Sequence, residues 1–208
     1  MKKIFAALLF ALLAFPAITS ALSFQAIGYD WRPYLGLGVK GSVASIGIQV
    51  PKDGPGTNIY VWNRTTAIGA VTEIFAGVKH NRVRIELNYF NRASINDVLS
   101  WLGGVVSASA EAGVIANFYY DYVSADWFAL YIGGGAGFSS WVQNTTYPYL
   151  GNKYSYDRDG VSFAWNILTG MSFTIADAVS LDFGLGYQNT RVIDLRAFDF
   201  KFGLRYTF

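Results

Sequence analysis

Apolar and polar residues alternate strictly along the last eight positions of the chain. One register holds Phe202, Leu204, Tyr206 and Phe208, and the other holds Lys201, Gly203, Arg205 and Thr207. A period of two is what a β-strand requires when one of its faces is apolar and the other is polar. The pattern extends back to Phe198 and predicts a strand of about eleven residues, which is long enough, when tilted, to cross the hydrocarbon core of a bilayer.

The same alternation occurs in seven further segments, and we expect each of them to be a strand. These segments are Tyr34–Ser42, Gly69–Lys79, Arg82–Phe90, Val106–Tyr120, Trp127–Phe138, Val161–Phe173 and Val179–Gln188. Short turns follow the second, fourth and sixth strands, whereas the longer connections cover residues 43–68, 91–105, 139–160 and 189–197. Short turns at one end and long loops at the other are typical of barrels in bacterial outer membranes. The sequence therefore predicts an all-β fold, an eight-stranded antiparallel up-and-down transmembrane β-barrel.

The composition separates a membrane barrel from a soluble one. Hydrophobic residues make up 52% of the chain and aromatic residues 17%, yet they are spread evenly rather than gathered in blocks. A soluble lipocalin-like barrel also has eight strands, but it would turn its apolar face inward. The alternate face of this chain is rich in glycine and charge, which makes it too small and too polar for a soluble core. We therefore expect the large apolar side chains to face lipid.

The charged residues of the predicted strands fall on the inward face. We predict a lumen network of five acids and four bases, formed by Lys40, Glu73, Arg84, Glu86, Glu111, Asp182, Asp199, Lys201 and Arg205. Eight strands enclose only a narrow interior, and an isolated charge in it would be costly, so these side chains should pair. The network would then be the polar core of a closed barrel. The alternative is a path for protons or ions, or a gated pore.

The first 21 residues have the features of an export signal. Lys2 and Lys3 precede an apolar run from Ile4 to Ala14, and Thr19-Ser20-Ala21 offers the small residues that a signal peptidase reads. We expect a signal peptide over residues 1–21 and an outer-membrane barrel over residues 22–208. Without Lys2 and Lys3 the chain has 14 basic and 14 acidic residues, so we expect no nucleic-acid partner. With no cysteine and one histidine, we expect no metal site and no cofactor.

The longest connections carry the residue types that dominate binding hot spots. Tyrosine and tryptophan are rigid and amphipathic, so they contribute contact area at a low cost in conformational entropy. The candidates for recognition are Tyr60, Trp62, Trp141, Tyr147, Tyr149 and Tyr154. The alternative interpretation is an aromatic belt at the outer membrane interface together with ordinary loop packing.

Several motifs resemble those of the small outer-membrane β-barrel superfamily that includes the OmpA transmembrane domain, OmpX and the neisserial opacity proteins. The motifs are Tyr34-Leu35-Gly36-Leu37-Gly38, Asn117-Phe118-Tyr119-Tyr120-Asp121, Tyr131-Ile132-Gly133-Gly134-Gly135-Ala136-Gly137 and Leu181-Asp182-Phe183-Gly184-Leu185-Gly186-Tyr187. The C-terminal strand is similar to the assembly signal of bacterial outer-membrane proteins, and its matching residues are Lys201, Gly203, Tyr206 and Phe208. The resemblance covers nearly the whole chain after the export signal.

The resemblance implies a surface role without choosing one, because the superfamily includes adhesins, surface antigens, serum-resistance factors and purely structural barrels. We expect a monomer in the bacterial outer membrane, in contact with outer-membrane lipid and lipopolysaccharide. We expect the barrel-assembly machinery and periplasmic chaperones to act on it during biogenesis. External loops would serve adhesion, host interaction or envelope structure through contacts with host surface molecules. The alternative is a narrow, porin-like channel for ions or small solutes.

The sequence argues against the enzymes known on this architecture. Outer-membrane lipid A deacylases need a histidine–serine pair near the outer leaflet, and outer-membrane proteases use an Asp–His pair at the extracellular rim. An outer-membrane palmitoyltransferase would also need a histidine at the outer surface. The single histidine of this chain, His80, falls in a predicted periplasmic turn. We therefore expect no catalytic activity.

Overall fold

Eight strands close into one barrel in the computed structural model, which describes residues 31–51, 60–96, 106–149, 152–191 and 195–208. The strands are β1 (Arg32–Pro51), β2 (Tyr60–His80), β3 (Val83–Asn96), β4 (Val106–Ser124), β5 (Phe128–Tyr149), β6 (Asn152–Ala176), β7 (Val179–Thr190) and β8 (Leu195–Thr207). Each strand pairs antiparallel with the next in the chain, and β8 pairs with β1 to form the closing seam. The predicted up-and-down barrel is confirmed. Within the described ranges, no helix is long and apolar enough to cross a membrane.

Tight turns join β2 to β3, β4 to β5 and β6 to β7, all at the end of the barrel where β1 begins and β8 stops. His80 pairs with Val83, so only two residues form the first of these turns. Asn81 adopts a φ of 51° there, in the left-handed region that asparagine tolerates better than most residues. We call this the turn end of the barrel, and we call the opposite end, where β1, β3, β5 and β7 stop, the loop end.

Inside and outside are inverted relative to a soluble protein. Along β8, buried residues alternate with exposed ones over the whole strand, and the exposed ones are mostly large and apolar. Phe198 and Phe200 are 64% and 66% exposed. On the same outer face, Phe183 stacks edge-on against Phe202 with ring centroids 5.2 Å apart. A continuous apolar surface of this kind is stable only against lipid, so the barrel wall is the membrane-spanning part.

The strands are longer than the sequence predicts, and the expected loops over residues 43–68 and 139–160 are wrong in extent. β1 continues to Pro51 and β2 begins at Tyr60, while β5 continues to Tyr149 and β6 begins at Asn152. The prediction ended the strands too early, before the outward apolar residues Val43 on β1 and Val142 on β5. Beyond these two residues the ladder of backbone hydrogen bonds continues through largely polar sequence, because a strand needs backbone pairing and not lipid.

The other two expected connections are also shorter than predicted. β3 continues to Asn96, β7 continues to Thr190 and β8 begins at Leu195. The expected signal peptide over residues 1–21 lies outside the described residues, and so do the loop residues 97–105.

Candidate functional site

Eleven charged side chains of the described strands are buried inside the barrel, and they comprise five cations and six carboxylates. They are Lys40, Glu73, Arg84, Glu86, Arg92, Glu111, Asp121, Asp182, Asp199, Lys201 and Arg205. All nine residues expected in the lumen are among them. The sequence interpretation omits Arg92 and Asp121 because it ends the third strand at Phe90 and the fourth at Tyr120. One further step of the same alternation beyond Phe90 would have found Arg92.

Glu73 links the strands on both sides of the closing seam. Its Oε2 lies 2.6 Å from Nζ of Lys40 on β1, and its Oε1 lies 2.5 Å from Nζ of Lys201 on β8. Asn88 on β3 donates a further hydrogen bond to Oε2 at 2.9 Å. A Cβ atom at Gly38 would lie 2.7 Å from Oε1, so this glycine leaves the space that the carboxylate occupies. One carboxylate thus holds β1, β2, β3 and β8 together.

Arg92 is a second junction, nearer the loop end. Its guanidinium donates two parallel hydrogen bonds to Asp199, from Nη1 to Oδ1 at 3.1 Å and from Nη2 to Oδ2 at 3.0 Å. It also donates to Oε1 of Gln188 at 3.1 Å and to Ser42, and its Nε lies 3.4 Å from Oε2 of Glu111. A bidentate arginine–carboxylate pair is among the strongest polar contacts in proteins. This side chain connects β3 to β1, β4, β7 and β8.

Asp121 anchors the charges at the turn end. Its two carboxylate oxygens accept hydrogen bonds from Arg84 at 2.8 Å and from Lys79 at 2.9 Å. The Arg84 guanidinium carbon also lies 4.5 Å from the ring centroid of Tyr131 and 5.0 Å from that of Tyr119. Since Lys79 is half-buried, the ion pairs reach from the lumen to the rim of the barrel.

The remaining lumen carboxylates near this end have hydroxyl and guanidinium partners. Glu86 accepts hydrogen bonds from the hydroxyl groups of Tyr34 and Tyr119, at 3.3 Å and 3.2 Å. Arg205 lies 3.5 Å from Asp182, and its guanidinium carbon lies 5.3 Å from the Tyr34 ring centroid. The predicted lumen residues are therefore brought together as a series of linked contacts rather than as one compact cluster.

An apolar layer follows the Arg92 junction on β1 and β8, and on β5 it begins at Trp141, which pairs in register with Glu111. On β1 the next inward residue after Ser42 is Ala44, and on β8 the next one beyond Asp199 is Ala197, its paired neighbour. The layer comprises Ala44, Ile46, Ala67, Trp141, Leu195 and Ala197, all buried. Trp141 is 2% exposed, so its expected place in an external loop is wrong. It belongs to β5, which continues past the predicted end at Phe138, and it faces inward between the outward residues Ser140 and Val142.

Two hairpins rise above the rest of the wall at the loop end. The β5–β6 hairpin pairs from Phe128 with Phe173 to Tyr149 with Asn152, whereas β7–β8 stops at Thr190 with Leu195. We call residues 45–51 with 60–66, and residues 143–149 with 152–158, the upper ribbons. They lie on opposite sides of the ring of eight strands, because two strands lie between the hairpins in either direction: β3 and β4 on one side, β7 and β8 on the other.

The β5–β6 upper ribbon is held by contacts between polar side chains. Asn144 donates to Oδ1 of Asp157 at 2.5 Å, and the hydroxyl groups of Thr146 and Ser155 lie 2.8 Å apart. The ribbon thus presents an ordered polar outer face beyond the membrane-facing band, rather than an extended loop.

The other recognition candidates lie in the upper ribbons. Tyr60 and Trp62 pair in backbone register with Pro51 and Gln49. Tyr147 pairs with Tyr154, and Tyr149 pairs with Asn152. Tyr154 is half-buried, whereas the side chains of Tyr60, Trp62, Tyr147 and Tyr149 fall outside the described part of the structure.

The residues of the expected assembly signal divide between the two faces of β8. Lys201 and Gly203 are buried in the lumen, and Tyr206 and Phe208 are about half exposed on the outer face, where their ring centroids lie 5.1 Å apart. This is the alternation that the sequence predicts for the last strand.

The single histidine lies at the turn end. The His80 ring stacks on Trp31 with centroids 5.2 Å apart, and its Nε2 lies 3.0 Å from Nδ2 of Asn81. Among the described residues, no group of three or more histidine, aspartate and glutamate side chains is placed to hold a metal ion.

A closed ring of eight antiparallel strands, with charges inside and an apolar outer wall, defines a small transmembrane β-barrel of the outer-membrane type. Neisserial surface protein A has this fold: it is 17% identical, with a TM-score of 0.55, over 85% of this chain and 97% of that chain. OprG from Pseudomonas aeruginosa is 10% identical, with a TM-score of 0.48, over 85% and 96%. Ail, the attachment invasion locus protein of Yersinia pestis, is 15% identical, with a TM-score of 0.48, over 86% and 99%. No protein-family model matches the chain, and no curated protein matches its sequence.

Proposed function

We propose that the protein is a non-catalytic surface protein of the bacterial outer membrane, exported by its N-terminal signal, whose two upper ribbons recognise molecules on host or neighbouring cells. The observation that supports this proposal is that the strands differ in length around the barrel. β5 has 22 residues and β6 has 25, whereas β7 has 12 and β8 has 13. A barrel that served only to fill a membrane would not need a strand such as β6, which is twice as long as its neighbour β7.

The reach of the ribbons fits a recognition role. Seven residues follow Val142 in β5, and at about 3.3 Å per residue they extend roughly 23 Å along the strand. A ribbon held by cross-strand contacts is already ordered before it meets a partner, so binding costs less conformational entropy than with a mobile loop. Neisserial surface protein A is, by its name, also a surface protein.

The placement in an outer membrane rests on the inverted barrel and on the N-terminal sequence. Irregular backbone and open sheet edges do not occur against lipid, and a closed barrel satisfies every strand without them. Insertion would require periplasmic chaperones and the assembly machinery that reads the C-terminal strand. The turn end would face the periplasm, and the upper ribbons would face the exterior.

The absence of catalysis is part of the same proposal. His80 is the single histidine of the chain, and it lies at the turn end against Trp31 and Asn81, far along the strands from the upper ribbons. A histidine-dependent hydrolase acting on an outer-leaflet or extracellular substrate would need that side chain at the loop end.

The test is adhesion by cells that display the full chain. A non-adherent laboratory bacterium would express the wild type and two variants, in which Asn-Gly turns replace residues 48–63 or residues 146–155. These cuts retain Ile46, Trp141, Gln143 and Thr145, which are buried, so the lumen is preserved. Two-residue Asn-Gly turns suit antiparallel hairpins. Heat-modifiable migration on a gel would establish that each barrel is folded and inserted.

Wild-type cells are expected to bind host epithelium or matrix proteins, and the shortened variants are expected to lose that binding while keeping their heat-modifiable migration. A matched control is a variant with an exposed substitution at the turn end, Arg82→Gln, which should bind like the wild type. An inserted wild-type barrel that binds none of these surfaces would contradict the adhesion proposal.

A narrow channel is the second candidate, and the linked charges of the lumen are the observation that favours it. Conductance across a planar bilayer that is abolished by Arg84→Ala would support this function. The apolar layer around Trp141 opposes it, since a hydrophobic constriction excludes water and ions even where the rest of a pore is polar. We therefore rank recognition above conduction.

A further inference from the structure

The backbone ladder between β6 and β7 ends far from the tip of the β5–β6 hairpin. Its last described rung is the hydrogen bond that the Arg191 NH donates to the Phe163 carbonyl at 3.2 Å, whereas β6 begins at Asn152. On the other side of the same hairpin, β4 pairs with β5 as far as Thr146. Among the described residues, no strand pairs with the β7 side of β6 over residues 153–161. We call this stretch the free edge.

The last rung shows which residues of the free edge direct their backbone groups away from β5. In an antiparallel ladder the NH and the carbonyl of one residue point to the same neighbouring strand, and successive residues point to opposite neighbours. The Phe163 carbonyl points to β7, and the pairing of β6 with β5 continues beyond it without a bulge. Every second residue therefore offers its NH and carbonyl on the free edge. These residues are Lys153, Ser155, Asp157, Asp159 and Val161.

Side-chain contacts within the hairpin agree with this alternation. Asp157 accepts a hydrogen bond from Asn144, and the hydroxyl groups of Ser155 and Thr146 lie 2.8 Å apart. Directly opposed residues approach each other most closely where they do not bond through their backbones. The backbone groups of Ser155 and Asp157 are therefore directed to the free edge and not to β5.

The outward side chains of the free edge determine which strand can pair with it. Asp157 and Asp159 are exposed and lie on the same face of β6. Charged residues on an edge strand oppose unspecific pairing. Two neighbouring carboxylates also discriminate, since they repel an acidic strand and attract one with basic residues directly opposite. Antiparallel pairing with the free edge of a second copy would place carboxylates against each other, which disfavours self-association.

We propose that the free edge binds an extended, basic segment of a partner protein as an additional antiparallel β-strand. Main-chain hydrogen bonds to the edge would provide affinity, and basic side chains opposite Asp157 and Asp159 would provide specificity. The described wall leaves space for this strand, because β1 continues to Pro51 but pairs with β8 only as far as Ser45. This inference rests on the proposed recognition by the upper ribbons, and it defines the partner of one of them.

The test measures binding of a fluorescent peptide, Val-Thr-Lys-Thr-Lys-Thr-Thr-Thr-Glu, to the full chain in phosphatidylcholine nanodiscs. In the antiparallel register its lysines lie opposite Asp159 and Asp157, and its glutamate lies opposite Lys153. One control peptide has glutamate in place of both lysines, and we expect it to bind about tenfold more weakly. A second control has the same composition but adjacent lysines, and it should also bind more weakly, because only one lysine can then face outward.

Ser155→Pro and Ser155→Ala separate backbone pairing from charge. Both lose the hydroxyl contact with Thr146 and keep both carboxylates, but only the proline removes an NH from the free edge. Proline is tolerated on an edge strand where its nitrogen faces solvent. We expect Ser155→Pro to bind the lysine peptide about fivefold more weakly than Ser155→Ala does. In the wild type, the peptide should slow amide hydrogen exchange at Asp157 and Asp159.

Reversing the charges on both partners provides a further check. Asp157→Lys/Asp159→Lys should prefer the glutamate peptide to the lysine peptide, because the opposed charges are then exchanged. A wild type that binds neither peptide, or binds both equally, would overturn the inference. Charge-dependent binding with unchanged amide exchange would also overturn it, since it would indicate attraction to the carboxylates without an added strand.

Adhesion of displaying cells distinguishes a failure of this inference from a failure of the proposed function. If adhesion requires the β5–β6 upper ribbon but is equal for Ser155→Pro and Ser155→Ala, the free edge is not the binding site, and the proposed function stands. If the purified chain binds the lysine peptide as expected but displaying cells adhere to no surface, the adhesion proposal fails, and the strand-addition site stands.

Discussion

The lumen has two regions, one rich in buried charges and one apolar, and each contributes differently to the stability and closure of the barrel. From the turn end to Arg92, buried charges connect strands that are not neighbours in the sheet, as Glu73 and Arg92 do. Above them on β1 and β8, the layer around Trp141 consists of apolar residues, and the one cation described against it is Arg158, whose guanidinium carbon lies 5.8 Å from the Trp141 ring centroid. Buried charges favour one arrangement because each misplaced partner is costly, whereas an apolar layer favours tight closure.

This difference explains why a barrel with a polar lumen need not conduct ions. Ion pairs hold the wall in one shape, and an apolar constriction can interrupt a path for ions. If this division is correct, substitutions in the charged region should change stability more than permeability. Substitutions in the apolar layer should change permeability as well.

The largest expected effect is that of Arg92→Met. The variant leaves Asp199 and Glu111 buried without their cation, and breaking a buried pair costs about 3–5 kcal/mol. We expect the free energy of unfolding in lipid, measured by denaturant titration, to fall by about 4 kcal/mol. Arg82→Met, at an exposed arginine, should change it by less than about 0.5 kcal/mol. Equal stability of the two variants would show that the Arg92 junction does not hold the strands together.

Glu73→Gln should have the next largest effect. It leaves Lys40 and Lys201 directly opposite each other in the lumen without the carboxylate between them. We expect a loss of about 3 kcal/mol, and a partial recovery in the double variant Lys40→Met/Glu73→Gln, because one of the two cations is then gone. Additive effects of the two substitutions in a double-mutant cycle would contradict the proposed coupling.

Trp141→Ala tests most directly whether the apolar layer, rather than the charged region, closes the lumen. Removing a buried tryptophan costs about 3 kcal/mol, and it should also admit water and ions through the apolar layer. The measurement is single-channel conductance in a planar bilayer, where the wild type should be silent and the variant should conduct. Trp165→Ala, on the outer wall, is the matched control. A folded Trp141→Ala barrel that stays silent would mean that closure resides elsewhere in the lumen.

Arg158→Ala should have the smallest effect. The guanidinium carbon lies 5.8 Å from the Trp141 ring centroid, at the base of an upper ribbon, and a contact of this kind at a partly exposed site contributes about 0.5 kcal/mol. We expect the unfolding free energy to change by about this amount and the conductance to stay at the wild-type level. A current comparable to that of Trp141→Ala would extend the closing layer to Arg158.

The sequence predicts the barrel and the inward face of each strand because lipid and lumen impose opposite polarities on neighbouring residues. The alternation from Val83 to Tyr89 is an example, and the structure reproduces it. The ends of the strands could not be predicted in the same way. Beyond Val142 both faces of β5 are largely polar, as Gln143 and Asn144 are, so the period of two disappears from the hydropathy while the backbone pairing continues. Partners across the lumen are set by the register and the curvature of the closed sheet, which no local pattern contains.

The pairing of Lys40 with Lys201 across the closing seam has a consequence for the order of folding. The seam joins the first and last strands, so its closure comes at the highest cost in chain entropy. Two ammonium groups in directly opposed positions also repel each other as the edges approach. The Glu73 carboxylate on β2 neutralises that repulsion only when the β1–β2 hairpin has already formed. We therefore expect the two edges of the sheet to join after the β1–β2 hairpin has formed.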